Sequence, residues 1–216
     1  MKIVAALGIA YLLGSVLPAD LLARARGVDI RAVGTRNPGA TNALHELGLL
    51  PGLVTAAYDM SVGLVSMYVA SALGLASGWV YVAGLTAILG HNYPLFAGFR
   101  GGQGMAAATG MLLYCIGLAL YRGWLAPAGL GLLVLTGAIV FALTRSATVV
   151  GVVTPPLLVA AVLFGRPDWQ FAAFASVLAA FVWTTQVGIA RHEHLMRIAP
   201  QDRARPGSAR PHPGAR

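Results

Sequence analysis

Seven long apolar stretches separated by short polar breaks leave this chain few ways to fold. They run over about residues 3–23, 49–76, 79–99, 105–121, 124–143, 148–164 and 169–190. A helix needs about 20 apolar residues to cross a bilayer. In hydrocarbon only a helix or a closed barrel satisfies its own backbone N–H and C=O groups. The expected fold is therefore an all-α polytopic membrane bundle of about seven transmembrane helices. Composition points the same way: 57% of the residues are hydrophobic and 10% charged, against about 25% charged in soluble domains. No polar block before the tail is long enough to fold alone, so residues 1–198 read as one transmembrane domain. Residues 199–216, with four prolines and almost nothing apolar, read as a disordered basic tail.

Details of the stretches carry further expectations. Lys2 precedes the first, but that stretch runs on to Leu22 and straight into polar sequence, which fits a spanning helix better than a cleaved leader. The second is long enough to tilt, or to break near Pro51 and Gly52. Pro155 and Pro156 predict a kink in the sixth. Cys115 is the only cysteine, so an intramolecular disulfide is excluded, and its place within an apolar run suits packing.

Seven spans would put all basic residues except Lys2, Arg122 and Arg166 on one face. The positive-inside rule then sets the N-terminus outside and the C-terminus in the cytoplasm. The formal net charge of +8 thus reads as topology and contact with anionic membrane lipid, with no nucleic acid expected as a partner.

Two polar segments fall on that cytoplasmic face. Residues 29–48, DIRAVGTRNPGATNALHELG, interleave Gly34, Gly39 and Gly48 with Thr35, Asn37, Thr41 and Asn42, and with Arg31, Arg36 and His45. Glycines let backbone N–H groups converge on a ligand oxygen while Thr and Asn add neutral donors, so the segment suits a phosphate. The same residues would also make an ordinary turn. Residues 90–106, GHNYPLFAGFRGGQGMA, place Gly101, Gly102, Gln103 and Gly104 after Arg100 and before the fourth apolar stretch. A helix N-terminus there would present free N–H groups and a partial positive charge to an anion.

Asp59 and His91 stand in or near apolar spans, where ionisable groups are expensive. Asp59 is open to a structural or a catalytic role. His91 suits a substrate oxygen or acid–base work, and equally the satisfaction of a broken helix end. Arg145 and Thr148 lie between the fifth and sixth stretches, and Arg191 and His194 follow the seventh. His192 and His194 lack a third ligand of suitable spacing, so no metal is expected.

Taken together, these segments resemble the bacterial acyl-phosphate:glycerol-3-phosphate acyltransferases, small integral-membrane enzymes with seven helices. Gly14 to Pro18 (GSVLP) and the run from Asp29 to Asn42 resemble that family's first motif, which ends DIRxxGSGNxGATN. Gly90-His91, Pro94, Phe96, Phe99 and Gly101 to Gly104 resemble the second, GHxxPxFxxFxGGKG. Arg191 to Ile198, RHEHLMRI, is loosely similar to the third, HRENIxRL. The resemblance implies transfer of a fatty acyl group from acyl phosphate to the 1-hydroxyl of glycerol 3-phosphate, giving lysophosphatidate, with no coenzyme A, cofactor or metal. It implies Thr35, His91 and Gln103 as catalytic positions. Arg31, Arg36, Asn37, Gly39, Thr41, Asn42, His45, Gly101, Gly102, Gly104, Arg145, Thr148, Arg191 and His194 would bind substrate. It implies the plasma membrane as location, with the active face cytoplasmic.

Departures from the family pattern fall on these same positions. The family's Ser-Gly is Thr35-Arg36 here, its GGKG lysine is Gln103, and the lysine after the second-helix aspartate is Val62. The arginine after GATN is His45, and Thr148 stands where a serine is usual. Lost cations weaken phosphate contacts, since charge-assisted hydrogen bonds are about twice as strong as neutral ones. A non-catalytic or substrate-shifted relative that binds a lipid or other anion is the alternative. A small transporter is less favoured, because no inverted repeat is evident.

Overall fold

The computed structural model describes the backbone of residues 1–198 and the side chains of residues 1–146 and 149–188. The expected tail lies outside the described residues. Among those residues the chain is all helix and turn: α1 (Lys2–Gly14), α2 (Pro18–Arg24), α3 (Ala40–Leu47), α4 (Leu49–Ala72), α5 (Ser77–Asn92), a 3-10 turn (Leu95–Ala97), α6 (Met105–Tyr121), α7 (Pro127–Thr144), α8 (Ala147–Phe164) and α9 (Trp169–Ile198). By length and composition α4, α7 and Trp169–Gly188 of α9 can each cross a membrane, and α1 with α2 passes the same test as a pair bent by 43°. Met105–Tyr121 and Val149–Phe164 are apolar but shorter.

The first apolar stretch is therefore not one straight helix. Proline lacks an N–H and pushes the residue before it out of helical backbone. Leu17 is accordingly extended (φ −114°, ψ 96°), and Pro18 opens α2. The third stretch is also shorter than its apolar character suggests. It ends at Asn92, and the chain then turns through Pro94 and a left-handed Gly98. No break occurs at Pro51 and Gly52: α4 begins at Leu49, so Pro51 lies in the first turn, where its missing N–H would be unpaired in any case. Both prolines of the sixth stretch lie inside α8, which continues through them from Ala147 to Phe164.

Small residues hold the bundle together. Lipid tails are as apolar as the side chains, so helices in a membrane associate through close packing. Any Cβ on Gly14 would overlap the Ala87 carbonyl of α5, and one on Gly90 would overlap the Tyr11 carbonyl of α1. Gly110 of α6 abuts the Met60 backbone of α4 in the same way, and Gly52 brings α4 within reach of Leu44 of α3. Around these seams lies a core of Ala6, Ala10, Met67, Ala83, Ala87, Met111 and Phe171. Outward-facing Leu132, Leu143 and Phe164 are 65%, 79% and 91% exposed, a surface that suits lipid and not water.

Candidate functional site

The two glycine-bearing segments lie at one end of the bundle, and Arg31 joins them. Its Nη1 donates to Oδ1 of Asp20 in α2, and its Nη2 donates to the carbonyl of Arg100 in the second segment. Arg24 adds a second ion pair to Asp20 at 2.8 Å. Asp20 itself is buried. One guanidinium thus ties α2 to a residue 69 positions beyond Arg31 in sequence, a task that suits its planar, multiply donating fork. Asp20 was legible in principle, as an ionisable residue inside an apolar run. Beside this clamp, at the break of the first span, a cavity of about 140 Å³ is lined by Ser15, Val16, Leu17, Asp20, Leu21, Phe96 and Ala97.

The first segment is shaped by Asn42, which is buried in the first turn of α3. Its Oδ1 accepts the Thr35 N–H at 2.8 Å, and its Nδ2 donates to the carbonyls of Ile30 at 3.0 Å and Val33 at 3.2 Å. The amide is occupied by the loop's own backbone, so Asn42 shapes the cradle from within. Gly34 must be glycine here, because it has φ +54° and a Cβ would overlap Asn42 Oδ1. Arg36 follows with φ +60°, a left-handed conformation that glycine tolerates better. Thr35, Arg36, Thr41 and His45 are exposed, and Asn37 and Gly39 are half-buried.

The second segment wraps the C-terminal end of α5. The Gly102 N–H donates to the His91 carbonyl at 3.1 Å. A Cβ on Gly101 would overlap that same carbonyl and one on Gly102 would overlap His91 Nε2, while one on Gly104 would lie 2.6 Å from Asn92 Oδ1. His91 is buried and Gln103 exposed. Asn92 and Asp20 are contributors that sequence reasoning had not singled out.

Each segment contains a glycine N-cap: Gly39 opens α3 and Gly104 opens α6, neither with a side-chain cap. First-turn N–H groups without an internal partner carry partial positive charge and receive anions. Arg145 stands apart. It is an exposed, left-handed C-cap of α7, with no side-chain hydrogen bond or ion pair to either loop among the described residues. The side chains of Thr148, Arg191 and His194 lie outside the described residues.

An all-helical membrane bundle that gathers two glycine-capped helix starts and an arginine clamp at one end presents the kind of donors that suit an anion. The family described as glycerol-3-phosphate acyltransferase matches residues 4–199, and the chain belongs to it. Glycerol-3-phosphate acyltransferase 1 of Deinococcus radiodurans is 38% identical over 181 residues, covering 82% of this chain and 85% of that one. A glycerol-3-phosphate acyltransferase of Thermus thermophilus is 39% identical over 184 residues, covering 85% and 87%. Among solved structures, the chain is similar to PlsY (YgiH), an integral membrane glycerol 3-phosphate acyltransferase. Its glycerol 3-phosphate form superposes with a TM-score of 0.67 at 26% identity, covering 91% of both chains. Its lysophosphatidic acid form gives 0.62.

Proposed function

We propose that this chain moves a fatty acyl group from acyl phosphate to the 1-hydroxyl of glycerol 3-phosphate, giving lysophosphatidate for phospholipid synthesis. The acceptor oxygen forms an ester bond to the acyl carbon, the carbon–oxygen bond to phosphate breaks, and the hydroxyl proton leaves with the departing phosphate, which is released as inorganic phosphate. Positioning two phosphate-bearing molecules and stabilising the departing phosphate are the main catalytic devices. The Gly101–Gly104 loop at the start of α6 receives one phosphate. The Gly39-capped start of α3, with Thr35, Arg36, Asn37, Thr41 and His45 around it, receives the other. Arg36 supplies a cation where Gln103 and Val62 do not. The family resemblance adds Arg145, Thr148, Arg191 and His194 as further substrate-binding positions.

In this reading the chain crosses the plasma membrane seven times, with its N-terminus outside and both loops at the cytoplasmic face. The bent α1–α2 pair counts as one span, and α4 to α9 supply the rest. At about 1.5 Å per residue, the 16-residue α5 reaches roughly 24 Å and would sit in a locally thin bilayer or be carried by its neighbours.

The observation that supports this reading best is the Arg31 clamp, which ties the two glycine segments to each other through Asp20 and Arg100. The test is reconstitution of the purified chain in lipid with palmitoyl phosphate and labelled glycerol 3-phosphate. Labelled lysophosphatidate is expected. Absence of product above background, with a family enzyme active in the same vesicles, would refute it.

A further inference from the structure

Asp59 of α4 and His91 of α5 face each other inside the bundle, 2% and 3% exposed, with Nδ1 of His91 3.7 Å from Oδ1 of Asp59. Neither atom has a hydrogen-bond partner among the described residues. Tyr58, the preceding residue, is engaged elsewhere: its hydroxyl donates to the Leu13 carbonyl at 2.9 Å. Val62, one turn further on, is buried and apolar. His91 is therefore the basic group that faces Asp59 among the described residues. The other edge of the same imidazole lies against the glycine loop, where Nε2 occupies the space a Gly102 side chain would need. The His91 carbonyl holds the Gly102 N–H as well.

We infer that Asp59 is a positioning residue that fixes the His91 ring through Nδ1–H···Oδ1, so that the Nε2 edge sets the shape of the glycine loop. The inference rests on reading that loop as a phosphate cradle. Hydrogen bonds of this kind are commonly long in an unliganded site and tighten when ligand binds. The ring is 3% exposed and lies beneath the loop, so in this reading the loop backbone and not the imidazole meets the phosphate. Asp59, His91 and Gly102 form a chain of contacts from the bundle interior to the cradle. Its consequence is substrate affinity, with the chemical step left alone.

The test compares Asp59→Asn and Asp59→Leu in the full chain in lipid, reading KM for both substrates, kcat, melting temperature and Kd for inorganic phosphate. Asp59→Leu leaves the buried His91 Nδ1–H without an acceptor, which costs about 1–3 kcal/mol, so this variant is expected to melt somewhat lower than wild type while keeping its helix content by circular dichroism. It should also raise KM for one of the two phosphate substrates, and Kd for phosphate, by about tenfold, the size of one charge-assisted contact. Asp59→Asn keeps an acceptor for Nδ1–H and should stay within about threefold of wild type. Gly102→Ala pushes the ring from the other side, should reproduce the KM rise, and should add little to Asp59→Leu. An unmoved KM and Kd in Asp59→Leu, a fall in kcat alone, or losses that multiply in the double variant would each overturn the inference. A wild type without turnover would defeat the acyltransferase reading, while the phosphate Kd would still decide the role of Asp59.

Discussion

Replacing Asn42 by alanine probes how the first loop keeps its shape. The side chain makes three hydrogen bonds, to the Thr35 N–H and the carbonyls of Ile30 and Val33, at 2.8 to 3.2 Å. Each is worth about 1 kcal/mol net, and a buried group left without a partner costs about 1–3 kcal/mol more. The variant therefore shifts the loop toward open forms by about 3 kcal/mol, a factor of roughly 100. α3 lies against α4 through the Gly52–Leu44 approach, so the helix should remain while the loop loosens. Hydrogen exchange reads this directly. The Thr35 amide, protected in the wild type by Asn42 Oδ1, should exchange about 100-fold faster, with α4 amides unchanged. kcat/KM should fall by at least about tenfold. An Asn42→Ala variant whose Thr35 amide remains protected would refute the reasoning. So would a variant that loses KM alone with the loop still protected, since Asn42 would then be touching substrate itself.

Other substitutions give separate checks. Arg31→Lys keeps the charge but cannot reach Asp20 and the Arg100 carbonyl with one planar group. kcat/KM should drop about tenfold with helix content unchanged by circular dichroism, and full activity would count against the clamp. Gly90→Ala places a methyl group on the Tyr11 carbonyl and should destabilise the chain by about 1–3 kcal/mol, seen as a lower Tm in detergent. Gly117→Ala, with nothing within 4 Å among the described residues, is its control, and equal melting of the two would contradict the packing account. Arg36→Gly relieves a left-handed backbone costing about 1 kcal/mol, so the variant should melt higher, while phosphate affinity falls with the lost charge. A lower Tm would show that the arginine side chain contributes more to the fold than the strain costs it.

The helical scaffold was largely visible in the sequence, because apolar run length is a local property. α6 matches its expected bounds, and α7 and α8 lie close to theirs. The two stretches whose helices are interrupted or shortened share a cause. Pro18 and Pro94 both sit in sequence apolar enough to extend a hydropathy run, yet each ends helical backbone just before it. The glycine loops were also legible as loops. Their assembly was not, because it depends on contacts between distant residues, Arg31 with Arg100 above all. Asn42 appeared as a donor for substrate, and only the folded loop shows its amide turned inward to Ile30 and Val33. Arg36 stood out for charge and bulk. Its φ of +60° gives the backbone reason why a glycine suits that position.

The glycine seam between α1 and α5 governs how this protein can come apart. A Cβ on Gly14 would strike the Ala87 carbonyl and crowd the His91 amide, and the chain leaving Gly14 soon turns into the helix that carries Asp20. The carboxylate that anchors Arg31 and the histidine beneath the second loop are therefore fastened to opposite sides of one joint. A solvent or temperature that pries that joint open would release both at the same moment. Catalytic competence and the melting of these two helices should vanish along a single curve.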